Sequence, residues 1–268
     1  MQSPTAFEPL RAWLRQQRAR AVGVRAVRLG ADAVHPDSVG GWLDAQAWRA
    51  GVRDRGAARL IARVVPVDGL AVDVGAYLGW ITLALARAVG PRGRVLALEP
   101  EANNFDLLTR AASPWRFPQV DARALAAGEY SGWTSLYLAE RERGDHRTVP
   151  AAEERRTVTV RAASLDDLLA DAPRLDLVKI STQGTEVSVL RGLRRTLVRC
   201  PSAHLLVAVA PALLERAGAT AAALFEPLAA AGLRPHRIEA AGGALPADPA
   251  ALWDAARQRG RLLVYFAR

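Results

Sequence analysis

The chain has 268 residues, of which 50% are hydrophobic and 24% charged, ordinary globular usage and far from the composition of a disordered chain. Its formal charge of +9 raises nucleic acid or an anionic membrane as a partner, but the arginines are scattered, with no aromatic-interleaved basic block of the kind a single-strand groove uses. One cysteine, Cys200, excludes an internal disulfide and a cysteine-cluster zinc site, and the four histidines, at 35, 146, 204 and 236, show no metal-ligand spacing, so no metal ligands are named and metal dependence is open.

Leu10 to Val24 is interrupted by Arg11, Arg15, Arg18 and Arg20 and lacks the apolar centre of a signal peptide. No apolar run reaches the roughly 18 residues that a membrane span requires. The expectation is a cytoplasmic protein with no membrane contact, built as an N-terminal helical extension, residues 1–57, and one α/β domain, residues 58–268. In the extension, Phe7 to Val22 and Gly41 to Val65 read as arginine-rich helices around a loop with His35, Pro36 and Asp37. Trp13, Trp42 and Trp48 read as packing against the main sheet.

From Leu70 the rhythm becomes strand, glycine turn, helix. Leu70 to Val74 is a short apolar run that suits a buried parallel strand, and Trp80 to Ala88 reads as the helix after it. A turn at Gly90 to Gly93 leads to a strand over Arg94 to Leu98 and a helix over Ala102 to Ala111. Gln119 to Ala126 and Trp133 to Leu138 follow as strands, and Thr157 to Arg161 is extended. Ser164 caps a helix start, with Asp167 three residues on. Leu175 to Ile180 is a strand, Glu186 to Leu197 a helix, His204 to Ala210 a strand, Ala219 to Ala231 a helix and Arg261 to Ala267 a terminal strand. Alternating strands and helices imply a doubly wound parallel sheet.

The loop Asp73-Val74-Gly75-Ala76-Tyr77-Leu78-Gly79 joins the first strand of that series to its helix, where such a sheet places its ligand. Gly75 lets the backbone turn and approach a ligand, and Gly79 allows close helix packing, although glycines at a strand end also occur for structural reasons alone. A dinucleotide site wants a second glycine at position 77, to make room for a pyrophosphate; here that residue is Tyr77. A cofactor with no pyrophosphate and a cationic sulfonium tolerates the tyrosine and favours a carboxylate such as Asp73. Glu99, at the end of the next strand and followed by Pro100, can accept both hydroxyls of a ribose.

Val72 to Leu108 resembles the opening half of the FkbM-type S-adenosylmethionine (SAM)-dependent methyltransferases. Further similarities follow in order at Ala124 to Glu129, Gly144 to Arg147, Ser164 to Leu169, Leu177 to Glu186 and Val189 to Gly192. The resemblance implies a Rossmann-like class I methyltransferase sheet of seven strands, the last antiparallel, and transfer of the SAM methyl to a hydroxyl of a small molecule such as a secondary metabolite, polyketide or sugar. It carries Asp73, Gly75, Gly79 and Glu99 over as cofactor contacts, with Ala76, Tyr77 and Pro100 beside them, Asn104 near the adenosine and Asp121 as a looser candidate.

Two acidic positions of the family pattern are missing. Ser181 stands where K-I-D-x-[EQ]-G-x-E has its aspartate, and Ala208 stands in the acidic place before Pro211. Both are expected at strand ends facing the ligand crevice. Methyl transfer needs in-line approach, which positioning supplies, and a general base adds about 10²- to 10⁴-fold for a poorly acidic alcohol. Substitutes for the lost acids are His146, with Asp145 beside it, or Lys179, the chain's one lysine. The alternatives are a solvent-exposed loop histidine and a lysine that pairs with Asp176 or Glu186. His204 is expected at a strand entrance with no chemistry. Three readings stand: a small-molecule O-methyltransferase, a SAM-fold protein that has lost catalysis and serves binding or regulation, and an RNA methyltransferase drawn by the charge. The acceptor and the oligomeric state, homo-oligomer included, are open.

Overall fold

The computed structural model describes residues 27–29, 32–34, 55–140, 142–150 and 153–268. The expected helix over Phe7 to Val22, the loop at His35 to Asp37 and the packing of Trp13, Trp42 and Trp48 lie outside the described residues. Within the extension, β1 (Val27–Leu29) and β2 (Asp32–Val34) pair as an antiparallel hairpin. Helix α1 (Arg55–Val64) runs through the boundary expected at 57/58. It is part of the core: Ile61 is fully buried, and Arg59 donates to the Ala240 carbonyl at 2.8 Å.

The central sheet is assembled from β3 (Leu70–Val74), β4 (Arg94–Leu98), β5 (Val120–Arg123), β9 (Leu177–Ile180), β10 (His204–Val209), β11 (Arg234–Ile238), β12 (Ala244–Pro246) and β13 (Leu262–Ala267). Their order is β12-β11-β13-β10-β9-β3-β4-β5. Strands β10, β9, β3, β4 and β5 run parallel, whereas β13 is antiparallel to both β10 and β11. The doubly wound sheet with an antiparallel last strand is therefore present, in eight strands rather than seven, because β12 turns back antiparallel on β11. These last two strands are short and carry arginine, histidine and proline, so hydrophobic alternation does not announce them.

Neighbouring residues of each inner strand enter opposite cores, as strand periodicity requires. Val72, Val74, Leu96, Leu98, Val178, Leu205 and Val207 face one apolar cluster with α8 (Ala221–Ala230) and α9 (Pro249–Arg259). Ala71, Val95, Leu177 and Leu206 face the other, with α1 and α2 (Trp80–Val89). Burial on both faces is why these strands read as continuous apolar runs. Chain order reverses between β3 and β9, so their carboxyl ends open a crevice there.

Two elements depart from the sequence reading. The strand expected over Gln119 to Ala126 divides into β5 and β6 (Ala126–Ala127), separated by a tight turn in which the Leu125 amide donates to the Arg123 carbonyl. Strand β6 joins β7 (Gly132–Tyr137) and β8 (Thr157–Ala163) in a small second sheet of order β6-β8-β7. Glu186 to Leu197 likewise divides, into α5 (Glu186–Arg191) and α6 (Arg194–Arg199). The buried Asp166 carboxylate accepts the amides of Arg195 at 3.0 Å and Thr196 at 2.7 Å, which gives α6 its own start.

Gly192, at that break, is where the helices meet the small sheet. A Cβ there would lie 2.1 Å from the Gly128 carbonyl oxygen. Gly192→Ala is expected to destabilise the fold by about 1–3 kcal/mol through overpacking, seen as a lower urea midpoint with an unchanged slope.

Candidate functional site

The crevice between β3 and β9 holds a cavity of 290 Å³ whose lining includes Gly75, Ala76, Tyr77, Glu99, Pro100, Asn104, His146, Lys179 and Ser181. Its floor rests on a buried ion pair. Asp73 and Lys179 are register partners on β3 and β9, and the Lys179 ammonium lies 2.9 Å from Asp73 Oδ1. The same ammonium donates to the carbonyls of Val74 at 3.2 Å and Gly75 at 2.7 Å. The ammonium is thus held by one ion pair and two hydrogen bonds. The other oxygen of Asp73 accepts from the Thr82 hydroxyl at 2.6 Å.

The glycine loop is held against this floor. Gly75 has φ 68°, and a Cβ on it would stand 2.0 Å from the Ser181 carbonyl oxygen. Neither the conformation nor the space admits a side chain. The amides of Gly75 and Ala76 both donate to the Leu98 carbonyl. Tyr77 has φ 53°, an uncommon left-handed conformation for a bulky residue. Its amide reaches Glu99 Oε2 at 2.9 Å. Gly79, φ 92°, precedes α2, and a Cβ there would meet Leu108 at 3.0 Å and Ala111 at 3.8 Å, so this glycine serves helix packing.

Glu99 is 5% exposed, and its second oxygen accepts from the Glu101 amide at 3.0 Å. Burial pushes its carboxyl up to about 7, against the smaller opposing effect of those two amides. Each oxygen keeps one lone pair for a further donor. Nearby, Glu101 caps α3 (Ala102–Ala111) by accepting from the Asn104 amide at 2.8 Å. Asn104 is 1% exposed; its Nδ2 donates to the Arg143 carbonyl at 3.2 Å, while its Oδ1 has no hydrogen-bond partner among the described residues. A buried acceptor without a partner is costly, and this one belongs to a residue that lines the cavity.

A short loop over residues 142–148 covers the cavity. Arg143 receives Asn104 as described, the Gly144 carbonyl accepts from Gln183 Nε2, and the Tyr77 ring lies under Gly144. Opposite it, the buried Glu186 carboxylate accepts the amides of Thr182 at 2.8 Å and Gly184 at 3.0 Å, which shapes the turn after β9. Burial raises the Glu186 carboxyl above its ordinary range.

Several expected roles change with this geometry. Asp145 does not orient His146: its carboxylate binds Arg147 and, at 2.6 Å, Arg155. His146 lines the cavity, but its Nδ1 accepts the Ala139 amide at 2.9 Å. The neutral ring must then carry its proton on Nε2 and presents a donor there, so it is no general base while that bond holds. Burial also lowers its pKa. Lys179 pairs with neither alternative carboxylate, because Asp176 is bound to Arg174 and the Leu70 amide and Glu186 to its own loop. Asp121 is not part of the cavity lining; it pairs with Arg123 at 2.6 Å. Asp73 lies beneath the lining, fully buried. Ser181 faces the cavity as expected of its position, whereas Ala208 is buried in register with Leu263 and outside the lining. His204 opens β10, where its Nδ1 meets the Tyr265 hydroxyl at 2.7 Å. Glu142, Thr148, Thr185 and Arg261 also line the cavity. No spacing in the sequence marks them, since they come from the covering loop, the turn after β9 and the start of β13.

Residues 73–208, just over half of the chain, match the family model described as the methyltransferase FkbM domain. A curated relative, Methyltransferase 1 of Beauveria bassiana (strain ARSEF 2860), is 27% identical over 149 residues, which cover 48% of this chain and 59% of the relative. Among solved structures, methyltransferase FkbM from Methylobacillus flagellatus KT is similar with a TM-score of 0.47 and 15% identity, over 75% of this chain and 44% of that one. Aeropyrum pernix fibrillarin, solved with natively bound S-adenosyl-L-methionine, is similar with a TM-score of 0.44 and 12% identity, over 81% of this chain and 76% of that one. The chain thus spans less than two thirds of the length of the first two relatives.

Removing one member of a buried ion pair strands the other charge. Asp73→Ala is expected to cost about 3–5 kcal/mol of stability, whereas the double variant Asp73→Leu/Lys179→Met recovers part of it, the Val74 and Gly75 carbonyls having lost their lysine donor. Thermal or chemical denaturation of both proteins checks this.

Proposed function

Because the chain belongs to the FkbM methyltransferase family, we propose that it is a SAM-dependent O-methyltransferase acting on a hydroxyl of a small molecule. The observation that carries the cofactor reading is the buried Glu99 carboxylate, held by the Tyr77 and Glu101 amides with a lone pair left on each oxygen. A ribose diol supplies the two donors it lacks. Asn104 Oδ1, a buried acceptor with no partner, suits a donor of the adenosine. Tyr77 lines the cavity at the position a pyrophosphate would need clear, which favours a nucleoside cofactor over a dinucleotide.

When bound, SAM supplies an electrophilic methyl on a sulfonium. The residues of this chain then bind and orient. Gly75 and Ala76 form the close wall, Glu99 fixes the ribose, and Lys179 holds the loop through the Val74 and Gly75 carbonyls while paired with Asp73. His146 presents Nε2–H and so positions an oxygen rather than deprotonating it. Placement of the acceptor is accordingly the main contribution of the site to rate.

The second reading, a SAM-fold protein without catalysis, is favoured by Ser181 in place of an acid and by the engagement of both His146 and Lys179. Single-turnover assays with methyl-labelled SAM across a panel of hydroxylated metabolites separate the two. Label transfer to one acceptor supports the enzyme; tight SAM binding with no transfer to any acceptor supports the other.

The Glu99 carboxyl, raised from 4.5 to about 7, binds a proton in the free folded protein that it would have lost in the unfolded chain. Its effect on folding therefore favours acid pH and is lost as pH rises through 7. Donation from a diol requires the carboxylate, so the opposite trend is expected for ligand affinity. Calorimetry with S-adenosylhomocysteine should show affinity rising as pH increases from 6 to 8, by up to about tenfold per unit below 7, and then levelling. Glu99→Gln should bind more weakly and lose the pH dependence; an unchanged affinity in that variant would remove the cofactor assignment.

A further inference from the structure

Arg261 immediately precedes β13, whose first residue, Leu262, is the register partner of Val209, the last residue of β10. It therefore stands at the carboxyl ends of the central parallel strands, and its half-buried side chain lines the cavity. Two other cations of the lining have carboxylate partners: Lys179 pairs with Asp73, and Arg147 with Asp145. The Arg261 side chain makes no hydrogen bond or ion pair among the described residues. Arg147, 4% exposed, is itself short of acceptors, since its Nε and Nη1 have no partner among the described residues.

We propose that Arg261 anchors an oxyanion, a carboxylate or a phosphate, carried by the methyl acceptor, so that the acceptor is a hydroxylated acid. The inference rests on the reading of the cavity as the SAM site and names the substrate class of that site. Position is the first argument. Glu99 follows β4 and Arg261 precedes β13, and the sheet order between them is β4-β3-β9-β10-β13. Four ladders of about 4.8 Å separate the two, roughly 19 Å in all. A cofactor whose ribose is fixed at Glu99 carries its carboxylate about 8 Å onward, through six bonds of roughly 1.5 Å in zigzag. It ends over β9, and Arg261 is rooted two ladders further on, in the part of the cavity left for the acceptor.

Solvation is the second argument. In the open crevice water satisfies an arginine. Once cofactor and acceptor fill the cavity that water is gone, and a cation left there without a partner is costly. A neutral acceptor would incur this cost, whereas a carboxylate or phosphate turns it into a charge-assisted contact, bidentate on a planar guanidinium. The phosphates of a nucleic acid offer the same chemistry, but they bind along a basic track. The lining is mixed in sign, with Glu99 and Glu142 among the arginines.

The test uses the full chain saturated with S-adenosylhomocysteine and titrates inorganic phosphate and acetate by calorimetry at constant ionic strength. Saturable binding of at least one of these anions is expected, without displacement of S-adenosylhomocysteine. Arg261→Gln should weaken that anion by roughly tenfold, with S-adenosylhomocysteine affinity held as the sign of an intact fold, and Arg261→Lys should restore part of the loss. The proposal is overturned if neither anion saturates, if the anion binds Arg261→Gln as tightly as the wild type, or if it displaces S-adenosylhomocysteine. It is also overturned if Arg261→Gln weakens S-adenosylhomocysteine but not 5′-methylthioadenosine, which lacks the amino-acid part, because the arginine then serves the carboxylate of the cofactor. Oligouridylate that binds through Arg261 with steep salt dependence assigns the arginine to a nucleic acid and overturns it as well. A wild-type protein that fails to bind S-adenosylhomocysteine overturns the cofactor reading and this inference with it, and is distinguished by that titration alone.

Discussion

The cation of Lys179, buried between β3 and β9, is the constraint on which the rest of the site depends. Placed directly across from Asp73 in the parallel register, it neutralises a carboxylate that has no access to water. Its remaining protons reach the last carbonyls before and within the glycine turn. A strand end normally leaves such carbonyls to solvent or ligand. Here they are satisfied from the neighbouring strand, so sheet register holds in place the turn that Gly75 permits. A compact ammonium suits this place, beside one carboxylate and two carbonyls, where a planar guanidinium does not match.

Three further buried carboxylates repeat the arrangement on a smaller scale. Glu99 gathers the amides of Tyr77 and Glu101, Glu186 those of Thr182 and Gly184, and Asp166 those of Arg195 and Thr196. Each acid organises a loop that has little apolar surface of its own. Backbone amides stabilise the charged form and lower the pKa, so the raised carboxyls of Glu99 and Glu186 reflect burial that the amides offset only in part. The two non-glycine residues near the cavity with left-handed backbones, Tyr77 and Gln183, sit in loops held this way, where local strain is sustained by surrounding hydrogen bonds.

The central strands were legible in the sequence because burial on both faces writes uninterrupted apolar runs, as in Leu70 to Val74 and His204 to Val209. The glycine loop and Glu99 were legible because their spacing follows from the strand-turn-helix unit itself. What escaped was set by tertiary contacts that no local pattern encodes. The division of the long helix at Gly192 depends on a carbonyl of Gly128 and on Asp166, both distant in sequence. The partner of Lys179 is a residue more than a hundred positions earlier. Asp145 and His146 are adjacent in the chain, yet one faces two arginines and the other a backbone amide. Adjacency in sequence said nothing about hydrogen bonding there.

The eighth strand has a consequence for how the sheet ends. An open sheet with a long bare edge is a template on which another chain can add a strand. One of its two edges is β12, three residues long and terminated by Pro246, which has no amide to donate. Strand β11 and its neighbour β13 are thereby kept inside the sheet, and the outermost ladder is too short to support extension by a second copy along that side. A hairpin that adds nothing to the cavity thus acts as a terminator, guarding that one side of the sheet against edge-to-edge pairing.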